Sequence, residues 1–346
     1  MVPPGNESNH YLSSLITGLE NEDVSVLNTR DHTAFPLIGP IVSNGRPDVV
    51  HIHWLHRLYI GSTFLKTVLK SSRLIIELTV LSLIGISIVW TVHNLTDHED
   101  RYSRLDRVFR ILLSNIYFDH LIVHCKEAER LVRSKYALRA GVLTSVIPHG
   151  HYINQYTNST PREEARSELG IDTDRFVFLF FGRIRRYKQI PMLIQVFDDL
   201  EIPEAELVIA GNPASDDLYR KIHNLSVGCA DVTTRLEFIP DTDVERYFAA
   251  ADVTVFPYQD ILTSGSAILS LSLGCPVIAP HIGCLPELIQ DCETGFLYED
   301  SMAGLNEARR RATDVDSNRM SRNALSRASD FGWKGIASQT RSVYEA

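Results

Sequence analysis

Residues 176–188 read F-V-F-L-F-F-G-R-I-R-R-Y-K, and this stretch decides how the chain folds. Its first six residues are apolar and rich in aromatic side chains, which is typical of a strand that is covered on both faces of a parallel sheet. Gly182 permits a sharp exit, and cations occupy four of the next six positions. The amphipathic residues 190–200 then predict a helix. Because open α/β sheets bind ligands at the carboxyl ends of their strands, the stretch predicts an anion site there.

A diphosphate is the ligand that suits these cations, since the paired N–H donors of an arginine guanidinium group match phosphate oxygens and lysine adds a point charge. A solvated basic turn is the alternative, and the cluster alone does not choose between the two. Ser264, Gly265 and Ser266 give a second signal, because a small, hydroxylated helix start presents backbone N–H groups to an anion. A plain helix cap is the alternative interpretation of these three residues.

Composition limits the classes of function that remain. The chain has 346 residues, which predicts two domains, and its 44% apolar and 22% charged content is ordinary for a globular protein. A net charge of −9 argues against a general nucleic-acid binder. No GxGxxG or GxxxxGK[ST] motif occurs, so dinucleotide oxidoreductases and P-loop hydrolases lose their main support. No CxxC or HExxH spacing occurs either, and we therefore predict no metal site.

Strand and helix patterns alternate along the whole chain, which predicts parallel sheets wound on both sides. A loop leads into a first helix at residues 10–19 without a preceding buried strand, so we expect a truncated start or a strand supplied in another way. A long helical pattern covers residues 62–83. The predicted strands lie at residues 24–27, 48–54, 86–92, 120–125, 145–148, 176–181, 205–213, 235–240, 252–258, 275–280 and 293–298.

Histidines gather where strands of the first half end, at positions 51, 53, 56, 93, 98, 149 and 151. A single such histidine is usually structural, but three strand ends that meet at one edge favour a polar pocket. His93, Asp97 and Glu99 together would supply proton transfer or orient a hydroxyl. An ordinary helix cap with acidic first-turn residues is the alternative.

The motifs of the second half resemble those of GT-B glycosyltransferases of family four. They are F-G-R-I-R-R-Y-K, L-V-I-A-G-N-P, A-A-A-D-V-T-V-F-P-Y, S-G-S, G-C-P-V-I-A-P, G-C-L-P-E-L-I and E-T-G-F-L-Y, and T-V-H-N-L-T-D-H-E and V-I-P-H-G-H upstream are similar. The resemblance implies an α/β fold of two Rossmann-like domains that face each other across a cleft. Residues 1–150 would bind the acceptor and residues 151–330 the nucleotide sugar, while a helix within residues 331–346 would cross back to the first domain.

The resemblance also implies roles for single residues. Arg183 and Lys188 would stabilise the departing diphosphate electrostatically, without an obligatory metal or any other cofactor. His93 would lie near the transferred sugar. The remaining substrate contacts would come from Gly182, Gly211, Ile239, Pro240, Asp260, Ser264, Gly265, Ser266 and Glu287.

One departure from the family concerns its two usual glutamates, whose places hold Ile261 and Leu269 here. Asp260 lies beside the first position and would substitute for it, while nothing replaces the second. If the reaction inverts the sugar, a base is required, and Asp97 or Glu99 are the candidates.

We therefore expect a glycosyltransferase that moves a sugar from a nucleotide-diphosphate sugar to a hydroxyl of a glycan or lipid-linked acceptor. A nucleotide-sugar epimerase and a non-catalytic nucleotide-sugar-binding protein are the alternatives. No signal peptide or apolar run of the ~20 residues that span a bilayer is visible, so we expect a cytoplasmic protein. The apolar helix near residues 64–83 is either core or a face that rests peripherally on a membrane.

Overall fold

The computed structural model describes residue 1 and residues 9–27, 34–96, 102–157, 159–199, 202, 204–299 and 301–346. It divides into two compact units. Unit 1 consists of Met1–Gly150 and Trp333–Ala346, and unit 2 of His151–Gly332. Both units contain a parallel sheet with helices in the connections, which confirms the predicted α/β class. Among the described residues, no helix combines the length and the apolar character that crossing a bilayer requires.

Unit 1 has a parallel sheet in the order β1-β2-β3-β4. Its strands are β1 (Val49–Ile52), β2 (Ser87–Thr91), β3 (His120–Val123) and β4 (Leu143–Val146). Its helices are α1 (His10–Glu20), α2 (Ile38–Asn44), α3 (His56–Tyr59), α4 (Phe64–Leu83), α5 (Ser103–Ile116), α6 (Lys126–Lys135) and α15 (Trp333–Tyr344). Strands β1 to β3 are almost wholly buried, as expected for a sheet with helices on its faces.

Helices α1 and α15 form one side of the unit 1 core. Leu15 and Leu19 of α1 pack with Val89 of β2 and with Ile336 and Ala337 of α15. A side chain at Gly150 would lie 2.4 Å from the ring of Trp333, so glycine at this position lets the start of α15 pack against the chain that leaves β4. Helix α15 is therefore part of unit 1, although it follows unit 2 in the sequence.

Unit 2 has a parallel sheet in the order β10-β9-β8-β5-β6-β7. Its strands are β5 (Phe176–Phe181), β6 (Ala205–Ala210), β7 (Val232–Arg235), β8 (Val253–Val255), β9 (Val277–Pro280) and β10 (Gly295–Tyr298). Its helices are α7 (Arg162–Leu169), α8 (Ile190–Asp199), α9 (Asp216–Val227), α10 (Asp241–Ala250), α11 (Gly265–Ser272), α12 (Leu285–Leu288), α13 (Met302–Thr313) and α14 (Ser317–Ser329). The aromatic strand β5 lies inside the sheet between β6 and β8, which explains why its run of apolar residues does not alternate.

Two of the predicted strands are wrong. Residues 24–27 form no strand; Val24 and Val26 instead pack against the cluster around α1 and α15, while Leu27 is exposed. The strand expected at residues 235–240 lies earlier, at Val232–Arg235, where it pairs with β6. Phe238 in the predicted range is 70% exposed. Its neighbours therefore form a loop that ends at Pro240, the cap of α10.

Candidate functional site

The carboxyl ends of β5 and β6 form a floor of bare backbone. Gly182 has φ +123° and Gly211 has φ +151°, values that favour glycine. A Cβ at Gly211 would lie 2.0 Å from the carbonyl oxygen of Gly182, so no side chain fits between the two strand ends. The N–H of Gly182 donates to Ala210 and that of Gly211 to Arg235, which holds both glycines in place. The two predicted glycines are thus directly adjacent.

Lys188 lies beside this floor in the short helical turn Arg186–Lys188. Its side chain is buried, and its Nζ lies 5.6 Å from the ring centre of Phe180 and 5.4 Å from that of Tyr258. A Cβ at Gly182 would lie 3.6 Å from the same Nζ. Within the described residues no carboxylate pairs with the ammonium group, so the two aromatic faces are its electrostatic partners.

Burial, and after it the neighbouring cations Arg185 and Arg183, together lower the pKa of Lys188 to about 7. A desolvated ammonium group without a counter-ion is costly, and an anionic ligand would remove that cost. Arg183 is exposed and Arg185 is partly exposed. The cluster therefore combines one buried cation with two that reach toward solvent.

Helix α11 begins next to the same glycine. Ser264 caps the helix, because its Oγ accepts the Ala267 N–H at 3.1 Å, and the same hydroxyl donates to the phenol oxygen of Tyr258 at 3.4 Å. The Oγ of Ser266 lies 3.0 Å from the position of a Cβ at Gly182. The first N–H groups of a helix lack intrahelical acceptors and carry partial positive charge. The structure thus brings Gly182, Lys188 and the start of α11 together.

Other predicted contact residues lie on exposed loops of unit 2. Ile239 is half-buried and Pro240 exposed before α10, Asp260 is exposed after β8, and Glu287 is exposed on α12. The roles of these residues stay predictions. Ile261, at the place of a family glutamate, is 7% exposed and belongs to the core, so this position offers no polar group to a ligand.

In unit 1, three histidines form a hydrogen-bonded row. His93 lies between His53 Nδ1 at 3.1 Å and His124 Nε2 at 3.2 Å, and His124 Nδ1 lies 2.9 Å from the carbonyl oxygen of Ile147. Because a carbonyl can only accept, His124 carries its proton on Nδ1, and His93 Nδ1–H then donates to His124 Nε2. By the same logic His53 Nδ1–H donates to His93 Nε2. The indole of Trp54 stacks on His93 at 4.9 Å.

The row leaves His53 Nε2 as an unprotonated, buried nitrogen, and it has no hydrogen-bond partner among the described residues. Burial is the largest cause that lowers the pKa of each histidine: to about 4 for His124 and well below 6.5 for His53 and His93. These rings are neutral at pH 7. Both nitrogens of His93 are occupied by other histidines, so its predicted contact with a sugar needs an exchange of partner.

Asp97 and Glu99, the two predicted carboxylates, lie outside the described residues. Within the residues that the structure does describe, no cluster of three His, Cys, Asp or Glu side chains is arranged to hold a metal ion. Sequence reasoning did not single out Tyr258 and His124. The F-P-Y motif after β8 could have indicated Tyr258, because a buried phenol beside a strand end requires a polar partner.

Comparisons with known proteins show which family and which fold the chain resembles. Residues 161–327 match the family model of glycosyl transferases group 1. A GDP-mannose:glycolipid 4-beta-D-mannosyltransferase of Xanthomonas campestris is 29% identical over 257 residues, which cover 73% of this chain and 68% of the relative. A D-inositol 3-phosphate glycosyltransferase of Streptomyces avermitilis is 33% identical over 242 residues, which cover 66% of this chain and 52% of the relative.

Two solved structures share the fold over most of the chain. Sucrose-phosphate synthase of Thermosynechococcus elongatus superposes with a TM-score of 0.71 at 22% identity, covering 90% of this chain and 76% of the synthase. Anabaena Alr3699/HepE in complex with UDP-glucose superposes with a TM-score of 0.71 at 19% identity, covering 95% of this chain and 88% of the Anabaena chain. At such identities the likeness concerns the fold.

Proposed function

We propose that the chain transfers a hexose from a nucleotide-diphosphate sugar to a hydroxyl acceptor without an obligatory metal or other cofactor, because residues 161–327 match the family model of glycosyl transferases group 1. The observation that carries this proposal is the buried ammonium of Lys188, which pairs with no carboxylate among the described residues and lies beside Gly182 and the start of α11. These groups fit the diphosphate of a nucleotide sugar, because its negative charge would serve as the counter-ion of the Lys188 ammonium group.

The chemistry follows from this placement. The bond between the sugar's anomeric carbon and the diphosphate breaks, and the diphosphate leaves with the electron pair. Lys188 and the first N–H groups of α11 would stabilise the developing charge electrostatically. The acceptor oxygen forms the new bond to the anomeric carbon and releases its proton. If the product is inverted, Asp97 or Glu99 is the proposed proton acceptor.

The absence of an obligatory metal is part of the proposal. Arg183, Arg185 and Lys188 lie within six residues of each other, and the two arginines contribute to the lowered pKa of Lys188. Three such cations supply the charge that a divalent ion would supply to a diphosphate.

The acceptor and the location of the enzyme extend the proposal. The Xanthomonas relative is named for a glycolipid acceptor. We propose that this chain likewise glycosylates a lipid-linked acceptor, as a cytoplasmic enzyme in peripheral contact with the inner face of the membrane. The epimerase and the non-catalytic binding protein, the two alternatives from the sequence, receive no support from the comparisons.

The test measures release of nucleoside diphosphate from a panel that includes GDP-mannose and UDP-glucose, with and without membrane lipid extract as acceptor source. We expect acceptor-dependent release from one donor, unchanged by EDTA and lost in Lys188→Ala. Lys221→Ala, which removes an exposed lysine of α9, is the matched control. Absence of turnover across the panel would contradict the transferase, and full inhibition by EDTA would contradict metal independence.

A further inference from the structure

Helix α4 turns an apolar face away from the core of unit 1. Phe64, Leu65, Leu69 and Ile76 are each 57–67% exposed. The buried residues of the same helix are Leu74, Leu78 and Leu81 together with Thr67 and Glu77, so α4 carries apolar side chains on both faces. A surface helix of a globular protein normally has polar side chains on its outward face. The exposed face of α4 therefore has the character of a surface that another apolar body covers.

Helix α5 lies parallel to α4 and extends this face. Near the helix starts, the rings of Phe64 and Tyr102 lie 5.9 Å apart. Near the ends, Thr79 Oγ1 lies 2.9 Å from the hydroxyl of Tyr117. The two contacts are separated by equal numbers of residues on both helices, so the helices run side by side. On α5, three apolar residues at four-residue spacing are about half exposed: Val108, Leu112 and Ile116.

We call this surface the α4–α5 face. It consists of Phe64, Leu65, Val68, Leu69, Ile75, Ile76, Val108, Leu112 and Ile116, all between 39% and 67% exposed. Apolar patches of this extent on a protein surface mark interaction sites.

The exposed charges on the two helices are of one sign. Their carboxylates, Glu77 and Asp106, are both buried; Glu77 accepts the Leu37 N–H at 2.8 Å, and Asp106 pairs with Arg110. Lys66, Arg104 and Arg107 are exposed. Within α4 and α5 the outward charge is therefore wholly positive, although the chain as a whole carries −9.

We propose that the α4–α5 face is the docking surface for a bilayer that contains anionic lipid. Exposed apolar side chains enter the boundary between headgroups and acyl chains, and neighbouring cations bind anionic headgroups. The 20-residue helix α4 is about 30 Å long and would lie in the plane of the membrane. This inference names the surface and the lipid for the peripheral contact proposed above.

A second copy of the chain is the competing occupant, and the charges argue against it. In a twofold dimer the same surface meets itself. Arg104, Arg107 and Lys66 would then face their own copies, and neither helix exposes a carboxylate to neutralise them. An anionic bilayer neutralises these cations, so it fits the charge of the face better.

The test is flotation of the purified full chain with vesicles of phosphatidylcholine alone or of phosphatidylcholine with phosphatidylglycerol as the anionic lipid. No sugar donor is present, so failure here is distinguishable from failure of the transferase proposal. We expect binding to the anionic vesicles, reduced about 10–30-fold by Arg104→Gln with Arg107→Gln. Leu65→Glu with Leu69→Glu should reduce it more than about tenfold, because two acids replace inserted apolar side chains.

Val227→Glu is the matched control, because Val227 is 75% exposed but lies at the end of α9 in unit 2. It should float like the wild type, and all variants should keep the wild-type tryptophan emission. Wild-type chain that does not float, face variants that float like the wild type, or equal loss in Val227→Glu would each overturn the proposal. A wild-type dimer that the face variants dissociate would assign the face to a second copy instead.

Discussion

Lys188 offers the sharpest prediction, because its protonation and its proposed ligand are coupled. Burial and the two nearby arginines bring its pKa to about 7. At pH 7 about half of the unliganded molecules therefore carry a neutral amine at this position. A nucleotide sugar, whose phosphates are both esterified and do not titrate near pH 7, should bind the charged form. Its affinity should fall as the pH rises through 7.

The size of the effect follows from the charged fraction. Between pH 6 and pH 8 this fraction falls from about 0.91 to about 0.09, so the apparent Kd should rise about tenfold. Lys188→Ala removes a hydrogen bond between charged groups worth about 1.5–3 kcal/mol, which weakens binding about 10–150-fold. Lys188→Arg keeps the charge at every pH in this range and should flatten the pH dependence, whatever its affinity at pH 6.

The assay is isothermal titration of the preferred nucleotide sugar at pH 6, 7 and 8 and constant ionic strength. Lys221→Ala should reproduce the wild-type profile, because its side chain is exposed on α9. A wild-type Kd that is constant from pH 6 to pH 8, or a Lys188→Ala variant with wild-type affinity, would refute the link between the buried ammonium and the diphosphate.

Three further predictions concern the rest of the fold and the site. Gly211→Ala should lower the melting temperature and abolish nucleotide binding in a thermal-shift assay, since its Cβ would lie 2.0 Å from the Gly182 oxygen. Gly228→Ala is the control and should do neither, because its Cβ would meet nothing closer than 3.7 Å. Arg183→Ala should weaken donor binding at low salt and little at 0.5 M (roughly a 4 Å Debye length), because an exposed charge is screened, while the Lys188→Ala loss should persist; equal salt dependence in both variants would oppose this. Unit 1 should unfold near pH 5. The folded pKa of His51 is about 3 and that of His124 about 4, both below the ordinary value of about 6.5, so the unfolded state takes up protons first as the pH falls below 6.5. At pH 5 each histidine should therefore have lowered the free energy of unfolding by roughly 2 kcal/mol. The three tryptophans all lie in unit 1 and report this transition by fluorescence, and an unchanged signal down to pH 4 would contradict it.

The sequence predicted those parts of the fold whose pattern is set by local burial. Strand β5 was predicted over its observed range, because six consecutive apolar residues can only be satisfied inside a covered sheet. The helix that the family resemblance implies within residues 331–346 lies at Trp333–Tyr344. Strand β7 was misplaced because the apolar Leu236, Phe238 and Ile239 suggested burial. Phe238 is in fact exposed, and the strand pairs through the more polar Val232–Arg235.

The site could be predicted less completely, because the periodicity of apolar residues does not give the distances between residues on different loops. The sequence joined Lys188 to Ser264–Ser266 as anion-binding groups, and the structure brings both next to Gly182. It could not show that the ammonium lies against the rings of Tyr258 and Phe180 or that it is buried, and this burial is the largest cause of its lowered pKa. Nor could it show that both nitrogens of His93 are bound by His53 and His124, since these residues meet only when three strands align.

The central claim is that a diphosphate binds at Lys188 and the start of α11. The most direct measurement is a crystal structure of the chain with a nucleoside diphosphate. Our account predicts a phosphate oxygen about 3 Å from Lys188 Nζ and another at the N–H groups of Gly265 or Ser266. A diphosphate bound elsewhere, with Lys188 contacting only the rings of Phe180 and Tyr258, would contradict it.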